Sequence, residues 1–248
     1  MFDVLILSAE KDFNKVKFVY ESLIINIKNI GNVYCVTNKK IDDKLKIDGI
    51  KYYFDDDVLD FDFSKFKGNV LKRKGWYVQQ YIKLFQNVTS DKFLVVDSDI
   101  IFNKEIDIIE NGKPNFFFGR DQYNDAYFTF MKKMLNLDRV YDHSFINEIM
   151  FFDRNNIKHM LEYLEIDSYG FFDKSVEILN DMNHDAGISE YELYGNYVTK
   201  YFPNSYNYKN INTLLGGKNS MWADNDILNY IDVHKKSDYD IISMHSWM

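Results

Sequence analysis

Proline and cysteine are nearly missing from this 248-residue chain, at two and one, and glycine is sparse at 11. A lone cysteine, Cys35, excludes an internal disulfide and fits a reducing compartment. So little proline and glycine, with no Ser/Gly-rich run, leaves no flexible linker or low-complexity tail to assign. No motif recurs at a fixed period, which argues against a repeat architecture. An excess of basic charge is absent too. The formal net charge of −8 disfavours a nucleic-acid partner, which needs a basic footprint on one face. The opening MFDVLILSAEKDF carries four consecutive apolar residues, Val4 to Leu7, and no basic leader, so it reads as neither signal peptide nor membrane span. A soluble, cytoplasmic protein without a transmembrane segment is expected.

What is present is a hydrophobic fraction of 46%, enough for one sizeable core, and an aromatic share of 17%, enough for rings to line a cleft as well. One domain spanning 1–248 is the economical reading. Residues 3–8, 32–38 and 50–54 read as strands, the first buried on both faces because its apolar run is continuous. Phe13, Val16, Tyr20, Leu23 and Ile27 recur at helical spacing, with Asp12 as the expected cap. A second helix is expected over 75–88, with Trp76, Gln80 and Lys83 sharing a polar side. Residues 92–99 supply the fourth strand. Strands then follow at 115–120, 148–153 and 239–247, and helices at 125–137, 156–166, 189–202 and 225–233. Strands alternating with helices predict an α/β fold with a mostly parallel central sheet, whose ligands gather at the carboxyl ends of the strands.

The segment KFLVVDSDIIF puts two carboxylates, Asp97 and Asp99, at one such end. In a strict strand they would face opposite ways, but where the chain turns both can converge on one cation. Oxygen ligands of this kind suit Mg²⁺ or Mn²⁺ shared with substrate phosphates. A solvated turn is the plain alternative. A calcium loop fails, because its sixth position would be Phe102 and its twelfth Ile108.

FLVVDSDIIF resembles the DxD segment of GT-A-type glycosyltransferases. KGWYVQQYIKLF, FINEIMFFDR, SEYELYGNY and the closing HSW, in that order, resemble a branch of them found in bacteria and large DNA viruses. The likeness runs from Ser8 to Trp247, although the stretch between Asp121 and Asp142 matches nothing in it. It implies a GT-A (Rossmann-like) domain, with a nucleotide-binding half over about 1–103 and an acceptor and catalytic half over about 104–248. It also implies a nucleoside-diphosphate sugar donor (a UDP-sugar first), a glycan or other hydroxyl acceptor, and host cytoplasm if the source is viral.

The residue roles follow from that likeness. Asp97, Asp99 and His245 would hold Mn²⁺ or Mg²⁺ against the donor diphosphate. Leaving-group charge also calls for local cations, and the densest basic cluster holds Lys72, Arg73 and Lys74. Trp76, Gln79, Gln80 and Lys83 follow on the donor side, and Ser98 lies within the DxD turn. Ser8, Ala9, Thr37 and Asn38 would read the base and ribose, and Lys11 a phosphate. Glu190, with Asp185 second, would act as base in an inverting transfer, while Glu192 closes a capping box with Ser189. His184, Asn147 and Trp247 would meet acceptor or sugar, with His143, Glu148 and Trp222 near them. Each has a plainer reading, as turn former, helix cap, core ring or solvated charge. A haloacid-dehalogenase-like phosphatase with Asp97 as nucleophile is the alternative enzyme. A binding module that has lost catalysis is the non-enzymatic one.

Overall fold

The computed structural model describes residues 1–119, 122–216 and 224–245. Its strands are β1 (Phe2–Ser8), β2 (Ile30–Thr37), β3 (Ile50–Phe54), β4 (Lys92–Asp97), β5 (Ile100–Phe102), β6 (Ile109–Glu110), β7 (Lys113–Phe118), β8 (Ile149–Asp153), β9 (Asn207–Asn210), β10 (Thr213–Gly216) and β11 (Ile241–Met244). The helices are α1 (Val16–Asn26), α2 (Asp55–Val58), α3 (Gly68–Lys72), α4 (Lys74–Phe85), α5 (Asp125–Leu135), α6 (Arg154–Tyr163), α7 (Ser168–Met182), α8 (Glu190–Tyr201) and α9 (Asp224–His234).

The central sheet has the order β3-β2-β1-β4-β8. Its first four strands run parallel and β8 runs antiparallel at the edge. β1 is buried along its whole length, as its unbroken apolar run requires when helices cover both faces of the sheet. The expected α/β architecture with a mostly parallel central sheet is therefore the one observed. Two small sheets join it, β10-β11-β5 and β6-β7-β9. Among the described residues no helix is long and apolar enough to cross a membrane.

Several local expectations shift. The helix expected after Asp12 opens with a 3-10 turn, Glu10–Lys15, and becomes α-helical only at Val16. Asp12 does not cap it; its Oδ1 takes the Lys15 ammonium at 2.7 Å. The last strand is shorter than expected, and Trp222 and Trp247 lie outside the described residues. α7 was not anticipated, although its cues are present: Asp167 accepts the Gly170 N–H at 2.8 Å, and Asn183 ends the helix at a φ of 47°. Short β11 holds its place by burial. Ile241, Ile242 and Met244 are all 0% exposed, and a side chain buried to that degree contributes about 1.5–3 kcal/mol. Ile242 and Met244 pack with Phe18, Ile101 and Ile227, which seals α9 and β11 against β5.

At the amino end of β1, Asp3 ties three strands together. Its Oδ1 accepts the Asn32 N–H at 2.9 Å beside β2, and its Oδ2 accepts the Ser90 N–H at 2.7 Å just before β4. Gly31 is required there, since a Cβ would fall 2.7 Å from Asp3 Oδ1. Burial works against the Asp3 charge, but the hydrogen bonds from Ser90 and Asn32 outweigh it and hold the carboxyl below its ordinary value. A depressed carboxyl stabilises the fold above its unfolded value of about 3.9, and that contribution is lost as the pH falls through the folded value. Asp3→Ala should therefore lower stability at pH 7 by about 1–3 kcal/mol, because the Asn32 and Ser90 N–H groups lose a charged acceptor. Urea unfolding followed from pH 7 to pH 3 should show the gap to wild type narrowing; a gap constant with pH would contradict the assignment.

Candidate functional site

Two strand registers build the site. In the β4/β8 pair Val96 lies opposite Ile149, so the next step places Asp97 beside Glu148, with the Asp97 N–H donating to the Glu148 carbonyl at 3.0 Å. In the β5/β11 pair Ser243 lies opposite Ile100, and the Met244 N–H reaches the Asp99 carbonyl at 2.6 Å. His245, the next residue, thereby meets Asp99 although 146 positions separate them.

The His245 ring sits between two carboxylates. Nδ1 is 3.2 Å from Asp99 Oδ2, and Nε2 is 3.3 Å from Glu148 Oε1. Burial opposes the imidazolium, but Asp99 and Glu148 outweigh it and push His245 up to about 10. Burial likewise opposes the Asp99 charge, and His245 more than compensates, leaving that carboxyl below its usual value. Ligand atoms of Asp99, Glu148 and His245 all lie within 4.8 Å of one another. Two carboxylate oxygens and one imidazole nitrogen are a donor set that could hold a divalent cation. The sequence reading grouped Asp97 with Asp99 and His245; in the structure Glu148 completes the group of three, and Asp97 Oδ1 lies 3.2 Å from the Lys83 ammonium.

Asp97 belongs to a second cluster. Lys83, from α4, lies 3.2 Å from Asp97 Oδ1 and 2.8 Å from Glu190 Oε1, and its side chain is only 8% exposed. Its Nζ also stands 4.4 Å from the centre of the Tyr191 ring. Burial disfavours the ammonium, but Asp97 and Glu190 hold it well above its ordinary value. Burial pushes the Asp97 carboxyl up, Lys83 draws it back, and the charges of Glu148, Asp99 and Glu190 push again, to about 6. One buried cation thus holds α4, β4 and α8 at a common point.

Both clusters open on a cleft of about 710 Å³ at the carboxyl ends of the parallel strands. Ser8, Ala9, Thr37 and Asn38 line one end, where β1 and β2 finish in register. Lys11, Trp76, Gln79 and Gln80 line it as well, as do Ser98 and Asn147. Gln80 is mostly occupied within the protein, donating to the Trp76 carbonyl and accepting from the Glu190 N–H. Lys72, His184 and Asp185 gather instead in a separate hollow with Asn69, Arg73 and Asn183. Of the basic run only Arg73 lines the cleft; Lys74 is exposed and lines neither. Gln122, Tyr127 and Tyr191 are cleft residues that sequence reasoning passed over, and Asp12, expected only as a helix cap, lines the cleft too.

The capping box is half formed. Ser189 Oγ accepts the Glu192 N–H at 3.3 Å, but the Glu192 carboxylate turns away to accept from Ser144 Oγ at 2.6 Å and the Phe145 N–H at 3.1 Å. It thereby ties α8 to the loop that carries Asn147 and Glu148. Gly195 permits the approach, since a Cβ there would meet the Phe145 ring at 2.3 Å.

An α/β sheet with a carboxylate–imidazole group and a buried ammonium at its carboxyl edge is the class that fold and site define. The chain belongs to the family of unknown function DUF6492, whose model matches residues 8–241. No curated protein sequence matches it. Among solved structures it is similar to the galactosyltransferase LgtC in complex with donor and acceptor sugar analogs, at 12% identity and a TM-score of 0.48, over 98% of this chain and 86% of that one. It is also similar to apo mouse xyloside xylosyltransferase 1, at 12% identity and a TM-score of 0.49, over 97% of each chain. Likenesses this distant carry no functional weight, which falls on the residues themselves.

Replacing the cation should cost more than replacing one of its partners. Lys83→Met leaves Asp97 and Glu190 buried together without it and should lose about 3–5 kcal/mol, whereas Glu190→Gln keeps the Lys83–Asp97 pair and should lose less. Urea unfolding of both variants checks this; a Lys83→Met loss no larger than that of the exposed Lys17→Met would refute the network.

Proposed function

We propose that the protein is a metal-dependent glycosyltransferase that moves a sugar from a nucleoside-diphosphate sugar, UDP-linked first, to a hydroxyl of a glycan or other acceptor. The observation that carries this reading is the junction in one cleft of a carboxylate–imidazole group, a fixed ammonium and the polar ends of β1 and β2. Asp99, Glu148 and His245 would hold Mn²⁺ or Mg²⁺, which when bound would supply positive charge beside the donor diphosphate. Arg73 and Lys11, both lining the cleft, would in this reading meet phosphate oxygens. Ser8, Thr37 and Asn38 offer hydroxyl and amide groups to base and ribose. In this reading residues 1–103 supply most of the donor side, and 104–248 supply Glu148, Glu190, His245 and the acceptor side.

Glu190 is the base of this proposal. The acceptor oxygen bonds to the anomeric carbon, its proton passes to the Glu190 carboxylate, and the bond to the diphosphate breaks, with inversion. Lys83 fixes the direction of that carboxylate at 2.8 Å. Asp185, the second candidate, lines the other hollow and its side chain is 63% exposed. A cytoplasmic setting completes the proposal.

The first test is a thermal-shift screen of UDP-, GDP- and dTDP-sugars with and without Mn²⁺, on wild type and Asp99→Asn. One nucleotide family should raise the melting temperature only with Mn²⁺, and Asp99→Asn should abolish the rise. No shift with any sugar nucleotide, together with Mg²⁺-dependent hydrolysis of a generic phosphate ester, would move the assignment to the phosphatase with Asp97 as nucleophile. Glu190→Gln should bind the donor as wild type does while losing about 10²–10⁴-fold in transfer rate, the usual reach of a general base. Retained transfer would remove Glu190 from that role.

A further inference from the structure

Lys83 is not the only buried lysine among the described residues. Lys15, in the 3-10 turn after β1, is 2% exposed. Burying an ammonium is costly unless its hydrogen bonds are met, and nothing about the fold of a 3-10 turn demands a lysine there. Its partners explain it. Nζ donates to Asp12 Oδ1 at 2.7 Å and to the Met244 carbonyl at 2.9 Å. Met244 is the residue before His245, and 229 positions separate it from Lys15.

That carbonyl belongs to the peptide that carries the His245 nitrogen. The Met244 N–H is already spent on the Asp99 carbonyl at 2.6 Å, and the His245 N–H on the Gly216 carbonyl at 2.9 Å. Lys15 supplies the remaining restraint, from the side of the molecule where β1 ends. With the backbone held on all three groups, the His245 side chain has one origin from which to reach Asp99 and Glu148. The charge of Lys15 also bears on Asp99, after burial and His245 in weight, favouring its ionised form. Asp12, which holds the other side of the ammonium, lines the cleft.

We propose that Lys15 is a positioning residue for His245: through the Met244 carbonyl it sets the imidazole against Asp99 and Glu148 and so shapes the cation site. The inference rests on the metal reading above for its consequence, though not for the placement itself. Removing a group that orients a metal ligand typically weakens metal binding 10- to 100-fold.

The test uses the full chain as wild type, the double variant Asp12→Asn/Lys15→Met, which leaves no lone buried charge, and the exposed control Lys17→Met. Two measurements are made on each: calorimetric titration with Mn²⁺ alone, and the NMR signals of the His245 ring without metal. The double variant should unfold cooperatively, bind Mn²⁺ about 10- to 100-fold more weakly, and show displaced His245 ring signals, while Lys17→Met matches wild type in both. Ring signals and Mn²⁺ affinity both unchanged in the double variant would overturn the proposal. Wild type that takes up no Mn²⁺, with His245 signals still displaced in the double variant, would sink the metal reading and leave the placement by Lys15 standing. Should the double variant not fold, Lys15→Gln, which keeps a neutral N–H donor, is measured in the same way and judged by the same two outcomes.

Discussion

Carboxylates a few ångströms apart repel by about 4 kcal/mol per pair at 4 Å with an effective dielectric of 20. The end of β4 must accommodate Asp97, Asp99, Glu148 and Glu190 under that constraint, and the rest of the site follows from how it is met. Lys83 stands between Asp97 and Glu190, and His245 between Asp99 and Glu148. Each cation comes from a different element from the acids it separates. The elements are therefore held together by the need to neutralise charge as well as by their apolar faces. A divalent ion in the Asp99–Glu148–His245 group would serve the same balance, which is why a site already short of positive charge suits one.

The same balance is buried at the floor of the cleft and exposed at its mouth. Lys83, Glu190 and Glu148 are nearly inaccessible to water, while Lys11 and Arg73 are exposed. Fixed charges at the floor act in low dielectric without reorganising. At the mouth Arg73 rests on the Trp76 ring at 4.9 Å.

How much of this could be read from the residues depends on how far apart the interacting parts lie in the chain. β1, β2 and β4 were legible because buried parallel strands leave unbroken apolar runs, and their carboxyl ends pointed to Ser8, Thr37 and Asp97. α8 was legible through Ser189. Glu148 as a partner of His245 was not, because its position depends on the β4/β8 register, which no local pattern encodes. β5 and β11 are three and four residues long, too short to show a period. The basic run misled for a different reason. Lys72 ends α3, Lys74 opens α4 and Arg73 is the non-helical junction between them, so the three point different ways and only Arg73 lines the cleft. An Asp and a Lys three apart, as at Asp12 and Lys15, ordinarily mark a surface pair; here both are buried, and Lys15 meets the Met244 carbonyl of distant β11.

The pairing of β5 with β11 has a consequence in time. A ribosome adding about 5–20 residues per second leaves an interval of roughly 7–30 s between the two partners, since Asp99 and His245 are 146 positions apart. During it Asp99, joined later by Glu148, stands without the imidazole between them, and β5 lacks its partner strand. The nascent chain can build β1 to β4 and their helices but holds no finished cation site. In order of synthesis the Asp99–Glu148–His245 group is therefore complete only once β11 has docked on β5.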